Sequence, residues 1–411
     1  MAGLPLAATL SLEALLTLLI FRCCVAGRGL VGDSVVLALA SALLLAFVPP
    51  ALTCHGGTCV GDVGRGTIVA AVWDASADGG IRVALDHPMP AAPAAGQMLV
   101  TVRGASINPV DYKLGPVLAS APLARWFLMH GVGRDYAGTV KESNCDAFKA
   151  GDRVFGLTSP TLSGALQEVA LVNCGSAARM PKKWAFHEAS GLGVAAATSL
   201  YALQKHAVRK GDRLLVIGAS GGCGSVGVQV GKALGAKVTG ICSTSNVDLV
   251  KKLGAAEVVD YTRGIMHPKK FHGARAFDLV YDTVSSPEDM DYEPIANPWA
   301  KAGTTYVAIN GAGADWVRTL ASSAFGMELQ RENYDLIVPE INTKLLSELA
   351  RLADEGKLTP LVDRVTDGLE DKTLRDAVER LRSRRSKGKV SWRLGGRGGG
   401  GREGQGTARV L

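Results

Sequence analysis

The stretch Arg213 to Asn246, RLLVIGASGGCGSVGVQVGKALGAKVTGICSTSN, constrains the fold of this chain more than any other. It opens with a short apolar run, Arg213 to Gly218, closed by a turn signal, which is the sequence form of a strand buried in a parallel sheet. A glycine cluster follows. From Cys223 to Leu234 the apolar residues Val226, Val230, Ala233 and Leu234 recur at helical spacing, and Gly235 supplies the stop. Lys237 to Cys242 then resumes as a second strand. Strand, glycine turn, helix and strand within about thirty residues make a βαβ unit, whose helix N-terminus offers free N–H groups and a favourable dipole to a diphosphate.

Two glycine registers compete. Ala219, Gly221 and Gly224 fit G/A-x-G-x-x-G directly after the strand, whereas Gly222, Gly224 and Gly227 fit the same pattern three residues later. The first is preferred, because the tight turn must follow the strand at once. The cradle is then Ala219, Ser220, Gly221, Gly222, Cys223 and Gly224. Where an NAD site usually carries Asp or Glu, about 20 residues beyond the glycines, this chain has Ser243, Thr244, Ser245 and Asn246. No carboxylate there repels a 2′-phosphate, and three hydroxyls and an amide can donate to it, so NADPH is expected over NADH. The competing reading, an N-cap cluster for the next helix, stays open because no basic residue accompanies the hydroxyls.

The chain has 411 residues, enough for two domains with extensions. Its net charge of +7 sits in a tail: residues 380–411 hold ten Lys/Arg against one Glu, residues 1–65 balance, and the body is slightly acidic. The basic balance therefore gives no indication of a nucleic-acid partner. Eight cysteines (Cys23, Cys24, Cys54, Cys59, Cys145, Cys174, Cys223, Cys242) include no C-x-x-C, which argues against a disulfide framework or structural zinc and suits a reducing compartment.

Residues 1–65 differ in character. Leu4 to Phe21 and Val35 to Val48 are apolar runs at the short end for a membrane span. A membrane anchor, an organellar or chloroplast leader, and upstream sequence without a role all stay open, with association or targeting put ahead of a cytoplasmic location. From Gly66 short strands dominate (Thr67 to Trp73, Met98 to Val102, Gly131 to Val140, Arg153 to Gly156), with Asp86 to Gly96 reading as a Pro/Ala loop. His187 to His206 reads as helical, and α/β alternation follows through strands at Glu257 to Asp260, Phe277 to Asp282 and Thr304 to Ile309. Thr343 to Glu355 and Leu374 to Arg384 read as helices, Gly388 to Trp392 as a last strand, and Gly395 to Gly406 as a disordered Gly/Arg tail.

The segments INPVDYK (Ile107 to Lys113), GRDYAG (Gly133 to Gly138), FKAGDRVFG (Phe148 to Gly156), LGAAEVVDY (Leu253 to Tyr261) and FDLVYDTV (Phe277 to Val284), with the glycine unit between, resemble the medium-chain dehydrogenase/reductase superfamily. Within it they are most similar to zinc-free quinone oxidoreductases of the zeta-crystallin and chloroplast-envelope type. The resemblance spans about Thr67 to Ser391. It implies an α/β chain: a GroES-like β-rich catalytic domain (66–188, returning at 335–392) around a Rossmann doubly wound parallel sheet (189–334), flanked by the leader (1–65) and the tail (393–411). It also leaves a homodimer open.

Zinc-dependent relatives carry Cys-His where this chain has Asn108 to Tyr112, and Gly-His-Glu where it has Gly133, Arg134 and Asp135, so no metal is expected. The resemblance places Asn108, Tyr112 and Lys113 at the nicotinamide, as donors to a developing oxyanion or as a proton source. The plain alternative is a satisfied Asn before Pro109 and a surface Lys. It also places Thr198 by the carboxamide, Tyr261 by the adenosine phosphate, and Asn310 and Gly311 by the nicotinamide ribose. Asp135 is read as a structural hydrogen-bonder, His187 and His206 as ordinary, and Lys387 and Lys389 as solvated charge ahead of the alternative that they close the cleft. The implied activity is NADPH-dependent reduction of quinones or α,β-unsaturated carbonyls. Enoyl-thioester reduction and non-catalytic NADPH binding are the alternatives.

Overall fold

The structure, a computed structural model, describes residues 66–74, 76–113, 131–159, 163–263, 276–285, 291–311, 315–316, 318–319, 322 and 331–395. The apolar leader and the Gly/Arg tail beyond residue 395 lie outside the described residues. Among the described residues no helix is long and apolar enough to cross a membrane.

The nucleotide-type half is a six-stranded sheet of β8 (Arg213–Ile217), β9 (Lys237–Cys242), β10 (Glu257–Asp260), β11 (Leu279–Asp282), β12 (Tyr306–Ala308) and β13 (Tyr334–Leu336). All five pairings are parallel, in the order β10-β9-β8-β11-β12-β13. Numbered from β8, that is 3-2-1-4-5-6, the Rossmann order, and it places a crevice at the C-terminal ends of β8 and β11, where the winding reverses. Strand β8 shows why the sheet is wound on both sides. Leu214 and Val216 enter one apolar cluster, while Leu215 and Ile217 enter another on the opposite face. A strand buried twice has no polar alternation, which is what RLLVI displays.

Two helices fill the first face. Helix α2 (Val194–Lys205) follows the short α1 (Phe186–Ala189), and α3 (Gly222–Ala233) follows the glycine turn. The α3 helix lies close on the sheet because its glycines leave room: a Cβ on Gly231 would stand 2.7 Å from Leu214 Cδ2, and one on Gly227 2.9 Å from the Tyr281 ring. Helix α4 (Val247–Leu253) connects β9 to β10.

The other half is a seven-stranded sheet built on β3 (Gln97–Ile107), with β4 (Asp135–Ser143), β5 (Arg153–Leu157), β6 (Val169–Asn173), β7 (Ala177–Arg179), β14 (Val362–Asp367) and β15 (Lys389–Arg393). A two-stranded ribbon, β1 (Thr67–Trp73) and β2 (Ile81–Pro88), accompanies it. Strand β2 runs into the segment expected to be a Pro/Ala loop, because His87 and Pro88 still pair with Ile68 and Thr67 at the edge of β1. An edge strand tolerates such a proline. The last strand β15 pairs antiparallel with β3, so the chain end closes the domain that began the fold. Helix α5 (Thr343–Asp354), capped by Asn342 Oδ1 on Leu345 N at 3.0 Å, buries Leu345, Leu346, Leu349 and Leu352 against β7 and α2. Helix α6 (Asp371–Arg382) covers the ribbon through Leu374, Ala377 and Val378.

Two local readings change. The single helical pattern from His187 to His206 is broken at Gly193, for a reason given below. Cys145 and Cys174, 29 residues apart, are joined as a disulfide, with Cα atoms 6.1 Å apart. The turn after β4 and the end of β6 meet because both flank β3, a proximity that spacing along the chain does not reveal.

Candidate functional site

The glycine turn forms at the C-terminal end of β8. Gly218 has φ +79°, a conformation that favours glycine, and its N–H and that of Ala219 both reach Ile241 O, at 3.1 and 2.9 Å. Gly221 N closes the turn on Gly218 O at 2.9 Å, and α3 starts at Gly222. The first turn of α3 leaves N–H groups without intrahelical partners, facing the crevice mouth. Gly224 leaves no room for a side chain: a Cβ there would lie 2.1 Å from Gly218 O and 3.0 Å from Ala219 Cα. Gly221 and Gly222 have more space, with nearest contacts at 3.4 Å. This is a cradle that only a bare backbone forms, and it fits the diphosphate of a dinucleotide.

The end of β9 differs from the sequence expectation in one respect. Thr244 Oγ1 donates to Asp260 Oδ2 at 2.6 Å, and Thr262 Oγ1 donates to Asp260 Oδ1 at 2.6 Å. A carboxylate from the neighbouring strand thus stands at the hydroxyl cluster, and one of the three hydroxyls is committed to it. These hydrogen bonds hold the Asp260 carboxyl below its ordinary range. Arg263 Nε lies 3.2 Å from Asp260 Oδ2, with the Arg263 side chain mostly exposed. Asn246 Nδ2 reaches Ser220 Oγ at 3.0 Å and Ser243 Oγ at 3.2 Å, which links this cluster to the glycine turn. The Asn246 side chain makes no cap on α4, and its Oδ1 is a buried acceptor without a partner.

The third part of the site comes from the other half. Strands β4 and β15 flank β3, so its end sets Ser106 opposite Asp135 and Ile107 opposite Val390. Asn108, Asp135 and Lys389 meet there. Asp135 Oδ2 receives Ser106 Oγ at 3.0 Å, Asn108 Nδ2 at 3.0 Å and Lys389 Nζ at 2.9 Å. Its Oδ1 receives Val194 N, the first N–H of α2, at 2.8 Å. Gly193 breaks the preceding helix to permit this, since a Cβ there would sit 2.3 Å from Asp135 Oδ1. Asp135 is the structural hydrogen-bonder expected. Lys389 is not solvated: it is 6% exposed, whereas Lys387 is exposed.

Asn108 caps the helical turn 109–113: its N–H donates to Asp111 Oδ2 at 2.7 Å and its carbonyl accepts Asp111 N at 3.0 Å. Burial pushes the Asp111 carboxyl up to about 7, the Asp135 charge adding to the rise and the Asn108 N–H, Arg134 and Lys389 opposing it. Arg134 donates to Thr158 O at 3.3 Å, and its Nε is buried without a partner. Tyr112 and Lys113 are half-buried on the same turn, with Arg382 standing 5.6 Å from the centre of the Tyr112 ring.

Strand β15 brings the halves together. Gly388 N donates to Ser220 O at 2.9 Å, and a Cβ on Gly222 would be 3.4 Å from Lys389 Cδ. The expected cradle and the expected catalytic segment, a hundred residues apart, therefore share one neighbour. Cys223, in the cradle, has its thiol pushed up to about 11 by burial and is uncharged at neutral pH. Thr198 is buried on α2, its hydroxyl spent on Val194 O at 2.7 Å. Tyr261 is partly exposed beyond β10, Asn310 Nδ2 donates to Ser285 O at 3.1 Å, and Gly311 is buried below the Tyr334 hydroxyl. Of the two histidines, His206 meets Asp335 Oδ2 at 2.8 Å, and His187 has its pKa lowered by burial.

The family model described as zinc-binding dehydrogenase matches residues 253–390. The chain is similar to a trans-enoyl reductase of Aspergillus terreus, with 33% identity over 320 residues, covering 72% of this chain and 85% of that protein. It is 29% identical to a mitochondrial NAD(P)H oxidoreductase of Mus musculus over 299 residues, covering 65% and 75% of the two chains. Among solved structures, a quinone oxidoreductase from Coxiella burnetii shares the fold with a TM-score of 0.66 at 24% identity, over 80% of this chain and 99% of that one.

The family description names a metal that these residues do not fit. Catalytic zinc takes three ligands from Cys, His or carboxylate. At the corresponding positions stand Asn108, Arg134 and an Asp135 whose two oxygens already hold four donors, one of them an ammonium. Among the described residues no group of His, Cys, Asp and Glu is arranged to hold a metal ion.

Proposed function

The chain belongs to the medium-chain dehydrogenase/reductase superfamily, and from that premise we propose that it is a metal-free, NADPH-dependent reductase of quinones and α,β-unsaturated carbonyls. The observation that carries the reading is the junction at β15, which ties the bare-backbone cradle to Asn108 through Gly388 and Lys389. A nicotinamide cofactor bound in the cradle would supply the hydride. Gly221 to Gly224 would receive its diphosphate, and Thr198, Asn310 and Gly311 would line its nicotinamide end.

Asn108 has its amide oxygen on Lys389 and one amide N–H on Asp135. An amide carries two N–H donors, so one is left to meet negative charge growing on a substrate oxygen. Lys113 and Tyr112, on the same turn, are the proposed second donor and proton source. With the metal-ligand positions filled by Asn108 and Arg134, the charge on the enolate or quinol oxygen is met by hydrogen bonds and fixed cations.

For NADPH over NADH the support is Ser243, Ser245 and Arg263. Thr244 is committed to Asp260, so a 2′-phosphate needs the Arg263 cation to offset that carboxylate. The similarity to a trans-enoyl reductase supports enoyl compounds as a second acceptor class, with enoyl thioesters among those to be tested. The test is NADPH and NADH oxidation by purified protein over quinones, short enones and acyl thioesters. Tight NADPH binding without turnover on any of them would replace the reductase reading with a non-catalytic one. Light scattering on the same preparation tests whether the chain forms a homodimer.

A further inference from the structure

Lys389 opens the apolar strand KVSWR and is buried with it. Lysine is among the residues least often buried, and a buried ammonium needs a hydrogen-bond acceptor for each of its three N–H groups. Lys389 Nζ has three: Ile107 O at 3.1 Å, Asp135 Oδ2 at 2.9 Å, and Asn108 Oδ1. No donor is left over for a substrate. The role of this cation lies in what it holds.

It holds an amide. The oxygen and nitrogen ends of an Asn side chain have nearly the same shape, and only their hydrogen-bond partners decide which way round they sit. An ammonium only donates and a carboxylate only accepts. With Lys389 on one side and Asp135 on the other, Asn108 has a single satisfied orientation, Oδ1 to Lys389 and Nδ2 to Asp135. The second N–H of Nδ2 is thereby aimed. The same Asp135 carboxylate caps α2, which carries Thr198, and the residue before Lys389 binds the cradle through Gly388 N to Ser220 O. Arg134 and Asp111 are the other charged groups at this cluster.

We propose that Lys389 is a positioning residue that fixes the Asn108 amide for oxyanion stabilisation and locks it to the nucleotide cradle. The inference rests on the reductase reading above for its catalytic consequence, but not for the geometry it names.

The test uses the full chain with Lys389→Met, which keeps the length of the side chain and removes its donors, and with Lys389→Met/Asp135→Asn, which also removes the carboxylate that the single change would leave buried and unpaired. Misaligned catalytic groups lose on the order of 100-fold in rate. The expected result is that kcat for NADPH oxidation falls by about that factor, while the NADPH Kd and acceptor KM stay within about threefold. In an Asn108→Ala background the same substitution changes kcat by less than about threefold, because groups acting as one unit are not additive. Unchanged kcat in both Lys389 variants, or an equal loss in the Asn108→Ala background, overturns the proposal. A readout independent of turnover is solvent exchange of the Asn108 side-chain amide protons in Asn-labelled protein: slow in the wild type and faster in Lys389→Met, where the amide is no longer held. If the wild type oxidises NADPH with no acceptor, the reductase reading fails. The amide signal then decides whether Lys389 fixes Asn108, and unaltered exchange in Lys389→Met overturns that.

Discussion

The contrast between Gly224→Ala and Gly222→Ala separates the two glycine registers, because Gly224 belongs to both and Gly222 only to the second. The added Cβ would meet three backbone atoms: Gly218 O at 2.1 Å, Gly218 C at 2.7 Å and Ala219 Cα at 3.0 Å. Ordinary carbon contacts lie at about 3.5–4.0 Å. The start of α3 must therefore move roughly 1 Å from the turn, since backbone cannot rotate aside as a side chain does. Alanine favours a helix over glycine by up to about 1 kcal/mol. Against that, overpacking costs typically about 1–3 kcal/mol and occasionally more, so the difference is a net destabilisation of up to about 2 kcal/mol.

The larger effect falls on the ligand. The groups displaced are the N–H donors that would hold the diphosphate, each worth about 1.5–3 kcal/mol toward a charged acceptor. Losing one or two weakens NADPH binding by on the order of 100-fold. Gly222→Ala is the control: its Cβ meets only Lys389 Cδ at 3.4 Å, Ala195 Cβ at 3.6 Å and Gly388 O at 3.8 Å, and stability should hold within about 1 kcal/mol. Fluorescence titration with NADPH and urea denaturation measure both quantities. Wild-type affinity in Gly224→Ala, or an equal loss in Gly222→Ala, would refute the assignment of Ala219, Gly221 and Gly224 to the turn.

Asp111→Asn should change the pH dependence of stability. A carboxyl raised to about 7 in the folded chain stabilises it fully below the ordinary carboxylate range and loses that contribution as pH rises through about 7. At about 1.4 kcal/mol for each pH unit, a carboxyl moved that far from its ordinary value carries about 4 kcal/mol. Urea unfolding at pH 5 and pH 8 should therefore show a steeper loss in the wild type than in the variant; parallel profiles would contradict it. Arg263→Gln should weaken NADPH by about 10- to 100-fold and leave NADH unchanged, read by calorimetry with the two dinucleotides. An equal effect on both would remove Arg263 from 2′-phosphate recognition. Leu349→Ala, fully buried on α5, should cost about 2–5 kcal/mol in urea unfolding with NADPH affinity retained; a neutral result would contradict the core assigned to that helix.

What the sequence shows plainly is whatever local periodicity encodes. Strand β8, its turn, helix α3 and strand β9 are contiguous, and each carries its own signal: an apolar run, glycines, helical spacing and a glycine stop whose φ is +87° at Gly235. The segments around Asn108 and Asp135 are readable by resemblance. Long-range pairing is what stays hidden. Lys389 looks like a solvated charge until β15 is laid beside β3, 282 residues earlier at Ile107. Asp260 does not register at the hydroxyl cluster because it arrives from an adjacent strand, and Cys145 and Cys174 meet across a sheet. Gly193 passes unnoticed inside the pattern read as helical from His187 to His206 until the Asp135 carboxylate is seen in the space its missing side chain leaves. In each case the deciding partner lies at a distance along the chain that no periodicity spans.

Whether this chain is a metal-free, NADPH-dependent reductase is decided by a stopped-flow record of NADPH oxidation by chelator-treated protein. The acceptors are a panel of quinones, short enones and enoyl thioesters, run in parallel with NADH. Turnover of at least one acceptor class is expected, at a rate that chelation leaves intact and that is faster with NADPH than with NADH. Bound NADPH that reduces no acceptor, or a rate abolished by the chelator and restored by zinc, would contradict it.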